Sequence, residues 1–218
     1  MKPSDFLLGV LDFFAILLPG SMATWLVTRY MPRDDIFRYL SLGPTPGGPD
    51  ALTLAGAFLL SSYTLGHFVF MAGAQLDNSY DRWRRRAKPN KTFLEADKLR
   101  KESLESGEFT TLKWAKSYIQ IHAPLARTEI DRLEADSKFF RSLVVISAPI
   151  ALHFLMTERI PSMGVASGVL GLMAYWRFRD QRWKSTQLSY ATAVILHNTK
   201  VAVASQKDLE SATHAPAD

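Results

Sequence analysis

The sequence predicts an all-α, polytopic membrane protein with four transmembrane helices, two of which extend into a cytoplasmic helical region. The first observation behind this is four apolar runs, at about residues 6–28, 51–76, 143–157 and 160–178. A helix needs about 20 such residues to cross a bilayer. The second is charge asymmetry. If every run crosses, 22 of the 26 Lys and Arg residues share one side, counting Arg177 there, as the positive-inside rule expects of the cytoplasm.

Whole-chain composition hides this pattern. The mean hydropathy of −0.03 and the 22% of charged residues average apolar runs with a very polar middle. The net charge of +5 is concentrated beside the runs, where anionic lipid headgroups attract Lys and Arg. Nucleic-acid binding is therefore disfavoured, and the expected partner is a bilayer with anionic headgroups. The absence of cysteine excludes disulfides, thiolate metal sites and a cysteine nucleophile.

Residues 1–76 are predicted to form the first transmembrane hairpin. The first span contains Asp12 and Pro19, and the small residues at 21–23 have the spacing of a signal-peptide cleavage site. A single Lys before the apolar core, and apolar residues that continue to Val27, favour a retained helix. The turn-rich stretch 41–50 then leads into the second span, the cleanest of the four.

Residues 77–142 are predicted to be a cytoplasmic helical region. Thr92 and Glu95 have the spacing of a capping box, which predicts a helix to about Ser106. Thr110 or Thr111 is expected to begin a second helix. Pro124 suits the first turn of a third, and because no breaker follows before Pro149, this helix should continue into the third span.

Basic residues are densest directly after the second and fourth runs. We predict that they bind lipid headgroups, with Trp83 in the headgroup zone, although a nucleotide or nucleic-acid site also uses basic residues interleaved with aromatics. The predicted headgroup-binding residues are Arg82, Trp83, Arg84, Arg85, Arg86, Lys88, Arg177, Arg179, Arg182 and Lys184.

Residues 143–178 are predicted to form the second transmembrane hairpin, and 179–218 a cytoplasmic helix with a disordered tail. The fourth span continues inward without Gly or Pro beyond Arg177. Gly164, Gly168 and Gly171 give it small-residue spacing, which allows close approach to a helix of this chain or of another copy.

Two ionisable residues stand out within the spans. Asp12 lies roughly 10 Å, and His67 roughly 13 Å, from the inner ends of their spans at helical rise. We predict that they face each other as an intramembrane polar pair. The pair is either a helix-locking hydrogen bond or a proton-linked site. His153, near the outer end of the third span, is expected to reach the interface.

An enzyme is the alternative to a non-catalytic protein. Asp77 and Asp81 are one helical turn apart, and as catalytic candidates they would hold a divalent metal. The sequence lacks a Gly-rich phosphate loop, an HExxH motif and a Gly-x-Ser-x-Gly motif. We expect no resident metal and no cofactor.

The function expected from the sequence is that of a non-enzymatic bacterial inner-membrane protein with both termini cytoplasmic. It would form homo-oligomers and act as a membrane-perturbing or signalling component, with 77–142 binding a cytoplasmic protein partner. The architecture is similar to that of small multi-span bacterial membrane proteins, including membrane effectors of anti-phage systems. This similarity transfers no residue. The alternatives are a lipid- or nucleotide-modifying membrane enzyme and a proton-linked channel or transporter.

Overall fold

The computed structural model describes residues 3–30, 51–86, 90–103, 109–156 and 161–213, and these residues confirm the all-α prediction. They form six helices and no strand. In chain order the helices are α1 Pro3–Tyr30, α2 Ala51–Arg86, α3 Lys91–Ser103, α4 Thr111–His122, α5 Pro124–Met156 and α6 Pro161–Thr213.

The helix starts follow local capping chemistry. Thr110 is the N-cap of α4, as predicted, and its hydroxyl accepts a hydrogen bond from the Lys113 amide at 3.4 Å. The prediction that Thr92 caps α3 is wrong. α3 already begins at Lys91, because the Asn90 carbonyl accepts the Leu94 amide at 3.1 Å and so closes a turn before Thr92.

α5 is one continuous helix from Pro124 to Met156, as the lack of breakers predicts. Its first residue needs no amide partner, so proline is tolerated there. Pro149 lies within the helix without ending it. α6 is likewise uninterrupted from Pro161 to Thr213.

The chain divides into two compact units. Unit 1 comprises Met1–Arg86 and Glu134–Arg182, and unit 2 comprises Ala87–Leu133 and Trp183–Asp218. Both α5 and α6 contribute residues to each unit. The predicted boundaries at 76/77 and 142/143 fall inside unit 1.

In unit 1, α1 and α2 pack with their backbones in close approach at two glycines. A Cβ atom on Gly20 would lie 2.7 Å from the Gly66 nitrogen, and one on Gly66 would lie 2.9 Å from the Ile16 carbonyl carbon. Beside them, the Ser62 hydroxyl donates to Thr24 Oγ1 at 3.2 Å. Only glycine permits this approach of the two helices.

Unit 2 has an ordinary apolar core formed by α3, α4 and the unit 2 parts of α5 and α6. The aromatic rings of Phe93 and Tyr190 pack edge to face in this core, with their centres 5.5 Å apart. The buried apolar residues are Ala96, Trp114, Ala115, Ile119, Ile130, Tyr190, Ala193 and Val194.

Two helices among the described residues are long and apolar enough to cross a membrane. They are Ala55–Arg82 and Pro124–Met156, judged by length and composition, a test that the core helix of a soluble protein also passes. The transmembrane prediction is therefore confirmed only in part, because the test finds two candidate spans and not four.

Candidate functional site

The surface of unit 1 is unusually apolar. Its large apolar side chains are exposed on all four helical segments, for example Leu60 at 69% and Leu172 at 63%. Exposed residues of this kind are Phe13, Phe14 and Leu18 on α1, Leu59, Leu60, Phe68 and Met71 on α2, Leu152, Leu155 and Met156 on α5, and Val165, Leu170, Leu172, Met173 and Trp176 on α6. Exposed apolar side chains that form a large patch mark protein–protein or membrane interaction sites.

The interior of unit 1 is, in contrast, rich in small and polar groups. Its apolar cluster is modest and consists of Ala23, Val69, Ile146 and Ile150. The buried polar side chains are Thr24, Ser62, Ser137, Arg141, Ser142, Ser147, His153 and Gln181. This arrangement reverses the usual pattern of a water-soluble helical bundle.

Asp77 on α2 forms an ion pair with Arg141 on α5 inside unit 1. The Arg141 side chain is only 5% exposed and that of Asp77 21%. The guanidinium carbon lies 4.7 Å from the centre of the Phe70 ring. A Cβ atom on Gly73 would lie 3.1 Å from Arg141 Nε, so the glycine makes room for the arginine. Arg141 Nε has no hydrogen-bond partner among the described residues.

Asp81, one turn later on α2, pairs with a different arginine. Its carboxylate lies 3.5 Å from the Arg182 guanidinium on α6. The two predicted catalytic carboxylates thus each contact an arginine, on separate helices. No group of three or more His, Cys, Asp or Glu that could hold a metal occurs among the described residues.

The predicted pair of Asp12 and His67 stays a prediction, because the Asp12 side chain lies outside the part of the chain that the structure describes. His67 is on an exposed face of α2, with its ring centre 4.5 Å from that of Tyr63. It follows Gly66 by one residue, which turns it about 100° away from the contact with α1.

Among the predicted headgroup-binding residues, Arg82, Arg177, Arg179 and Lys184 are exposed, and Arg84 and Arg182 are partly buried. The Arg179 guanidinium carbon lies 5.9 Å from the centre of the exposed Trp176 ring. Arg177 lies 3.7 Å from Asp180. Lys88 and the side chains of Trp83, Arg85 and Arg86 lie outside the described residues.

The three predicted packing glycines of α6 differ in their surroundings. A Cβ on Gly164 would lie 3.1 Å from the Ala151 carbonyl oxygen, and one on Gly171 would lie 3.1 Å from Ser147 Cβ. Both glycines therefore pack against α5 of this chain. A Cβ on Gly168 would meet no atom within 4 Å.

His153 is a buried residue, at 2% exposure, and does not simply reach an interface. Its Nδ1 lies 2.9 Å from the hydroxyl of Tyr30 on α1, and its ring centre lies 5.9 Å from that of Trp25. The Phe154 ring stacks on Trp25 at 5.8 Å. Sequence spacing does not reveal this cluster, because its members come from separate helices.

Unit 2 contains a carboxylate network at Asp97. Thr111 donates to its Oδ1 at 2.7 Å, and the Lys101 ammonium lies 2.8 Å from Oδ2. Hydrogen bonds from Lys101 and Thr111 lower the pKa of Asp97 from 3.8 to about 2. The Thr111 bond ties α3 to α4.

Comparisons of the chain with protein-family models, with curated proteins and with solved structures return no match.

Proposed function

We propose that this chain is a multi-pass protein of a bacterial inner membrane, with both termini in the cytoplasm. In this proposal α1, α2 and the unit 1 parts of α5 and α6 are the four spans. The observation that carries the proposal is the apolar surface on all four segments of unit 1. A bilayer solvates such side chains, and helices satisfy their own backbone polar groups within it.

α6 is not among the two candidate spans, for a reason that suits this proposal. Mean hydropathy averages the two faces of a helix, and on α6 the inward face carries Gly164, Ser167 and Gly171, whereas the outward face carries Leu172 and Met173. Small residues at helix contacts are typical of membrane bundles. They lower the mean hydropathy of the helix without making its lipid-facing surface polar.

The basic residues support one orientation. The rings of Tyr80 and Phe178 lie 5.9 Å apart, and Asp81 lies 3.5 Å from Arg182. The basic end of α2 and the basic stretch of α6 are therefore at the same end of unit 1. Exposed Trp176 lies at this end, as an interfacial aromatic does. Anionic headgroups on the cytoplasmic face would attract these arginines.

Within the membrane we propose a non-enzymatic, homo-oligomeric, membrane-perturbing or signalling role, with unit 2 binding a cytoplasmic protein. The engagement of Asp77 and Asp81 by arginines supports this role over the metal-dependent enzyme. Gly168, which meets no atom of its own chain within 4 Å, leaves room for a helix of another copy. Leu94 and Ile121 are exposed apolar residues of unit 2 available to a partner.

The membrane part is tested by carbonate extraction and cysteine accessibility. The chain has no cysteine, so single substitutions give unambiguous labelling. A membrane-impermeant maleimide should label Thr45→Cys, in the predicted outer loop, on intact spheroplasts. It should label Ser103→Cys, in unit 2, only after lysis. Release of the protein by carbonate, or the reverse labelling pattern, would contradict the proposal.

The role is tested with purified protein in vesicles of phosphatidylethanolamine and phosphatidylglycerol. We expect chemical cross-linking to give oligomers and no headgroup turnover with Mg²⁺. Turnover that Asp77→Asn or Asp81→Asn abolishes would establish the enzyme instead. Proton flux that Asp12→Asn abolishes would establish the proton-linked protein.

A further inference from the structure

We propose that the Asp77–Arg141 pair is a conformational latch between α2 and α5, closed in this structure. Its opening lets α5 move against α2, and this is the step by which a partner on unit 2 changes the membrane unit. The signalling role of the latch rests on the proposed function. The latch itself is argued from the geometry of unit 1.

The surroundings of Arg141 argue against a ligand site. The Phe70 ring lies against the guanidinium, and Gly73 lies next to its Nε. The Asp77 carboxylate forms an ion pair with it. The arrangement instead holds one helix against the other.

Stability alone does not account for a buried ion pair. Both charges lose hydration, and Arg141 Nε has no hydrogen-bond partner in the described part of the chain. Apolar side chains of similar volume often stabilise a protein as well or better at such positions. A buried pair does distinguish one arrangement from others, because any displacement leaves Arg141, and with it Asp77, without its charged partner in the protein interior.

α5 runs through both units as one helix. Its residues up to Leu133 belong to unit 2, and Arg141 follows eight residues later, about 12 Å along an unbroken helix. α5 has neither proline nor glycine between Pro124 and Pro149. A rotation or shift imposed on the unit 2 part of α5 is therefore transmitted to Arg141.

The latch is tested by measuring a distance between α2 and α5 with paired spin labels. Phe68→Cys and Leu152→Cys place labels on exposed positions of the two helices. With the full chain in detergent micelles, we expect a narrow distance distribution. Asp77→Asn and Arg141→Gln should each broaden or shift it, by several ångströms and in the same way. The exchanged pair, Asp77→Arg with Arg141→Asp, should restore it.

Asp81→Asn is the matched control, because it removes a carboxylate one turn away on the same helix and should leave the distribution unchanged. Circular dichroism shows whether each variant keeps its helices. Single variants that fold and retain the original distance overturn the latch. So does an exchanged pair that behaves like the singles, or failure of all three to fold. Carbonate extraction of the wild-type chain reports separately on the proposed function, since the label distance does not depend on membrane insertion in cells.

Discussion

The contact between α1 and α2 gives a sharp test of unit 1 packing. In Gly66→Ala, the new Cβ would overlap the Ile16 carbonyl oxygen and lie 2.9 Å from the Ile16 carbonyl carbon. Backbone atoms cannot rotate away as a flexible side chain can, so the two helices must separate. Gly56→Ala is the matched control on the same helix, because a Cβ there would meet no atom within 4 Å.

The comparison of these two variants isolates the steric cost of the new Cβ atom at position 66. Replacing a helical glycine by alanine gains up to about 1 kcal/mol from helix propensity, and both variants share this gain. Overpacking costs about 1–3 kcal/mol. Gly66→Ala should therefore be less stable than Gly56→Ala by about 1–3 kcal/mol, roughly 5- to 150-fold in the folded-to-unfolded ratio. Unfolding by sodium dodecyl sulfate titration from mild detergent, followed by circular dichroism, measures this. Equal midpoints would refute the close backbone approach.

Three further predictions concern other contacts. Gly171→Val should be less stable than Gly168→Val by about 1–3 kcal/mol in the same titration, because a Cβ at Gly171 meets Ser147 whereas one at Gly168 meets no atom of its own chain. Tyr30→Phe should cost about 1 kcal/mol by removing the hydrogen bond to His153, and an unaltered melting temperature would exclude that bond. Because the Asp97 pKa is about 2 when folded and 3.8 when unfolded, the unfolded chain binds the proton first, and stability falls as the pH drops from about 4 towards 2. Asp97→Asn should lower thermal stability at pH 7 by about 1 kcal/mol and flatten this acid dependence, as melts across the pH range would show.

Helix starts and helix continuity can be predicted from the sequence, because they depend on neighbouring residues. Helix starts at Thr111 and Pro124 follow from capping and proline chemistry, and the continuity of α5 follows from the lack of breakers. The predicted start of α3 is two residues late, because a backbone carbonyl, which every residue has, closes the first turn from Asn90. Helix type and length are thus set by signals within a few residues.

Contacts between helices were harder to predict. The spacing of Asp77 and Asp81 shows that they share a helix face, but nothing local shows that Arg141 and Arg182 meet them. The depths of Asp12 and His67 predict a pairing that stays a prediction, because depth does not fix the rotation of either helix. Partners on other helices depend on rotation about each helix axis, which a single sequence determines only through packing.

The distinction between a soluble bundle and a membrane unit rests on which side of the helices holds the polar groups. If unit 1 were water-soluble, Leu60, Met71 and Leu172 would be exposed to water while a charged arginine lay in the interior. Each exposed apolar side chain of that size gains about 1.5–3 kcal/mol when it is removed from water, and more than a dozen are exposed on unit 1. A bilayer or a large protein partner removes that surface from water. The proposed bilayer would also account for the arginines and the exposed Trp176 at one end of unit 1, and for this reason we propose a bilayer and not a protein partner.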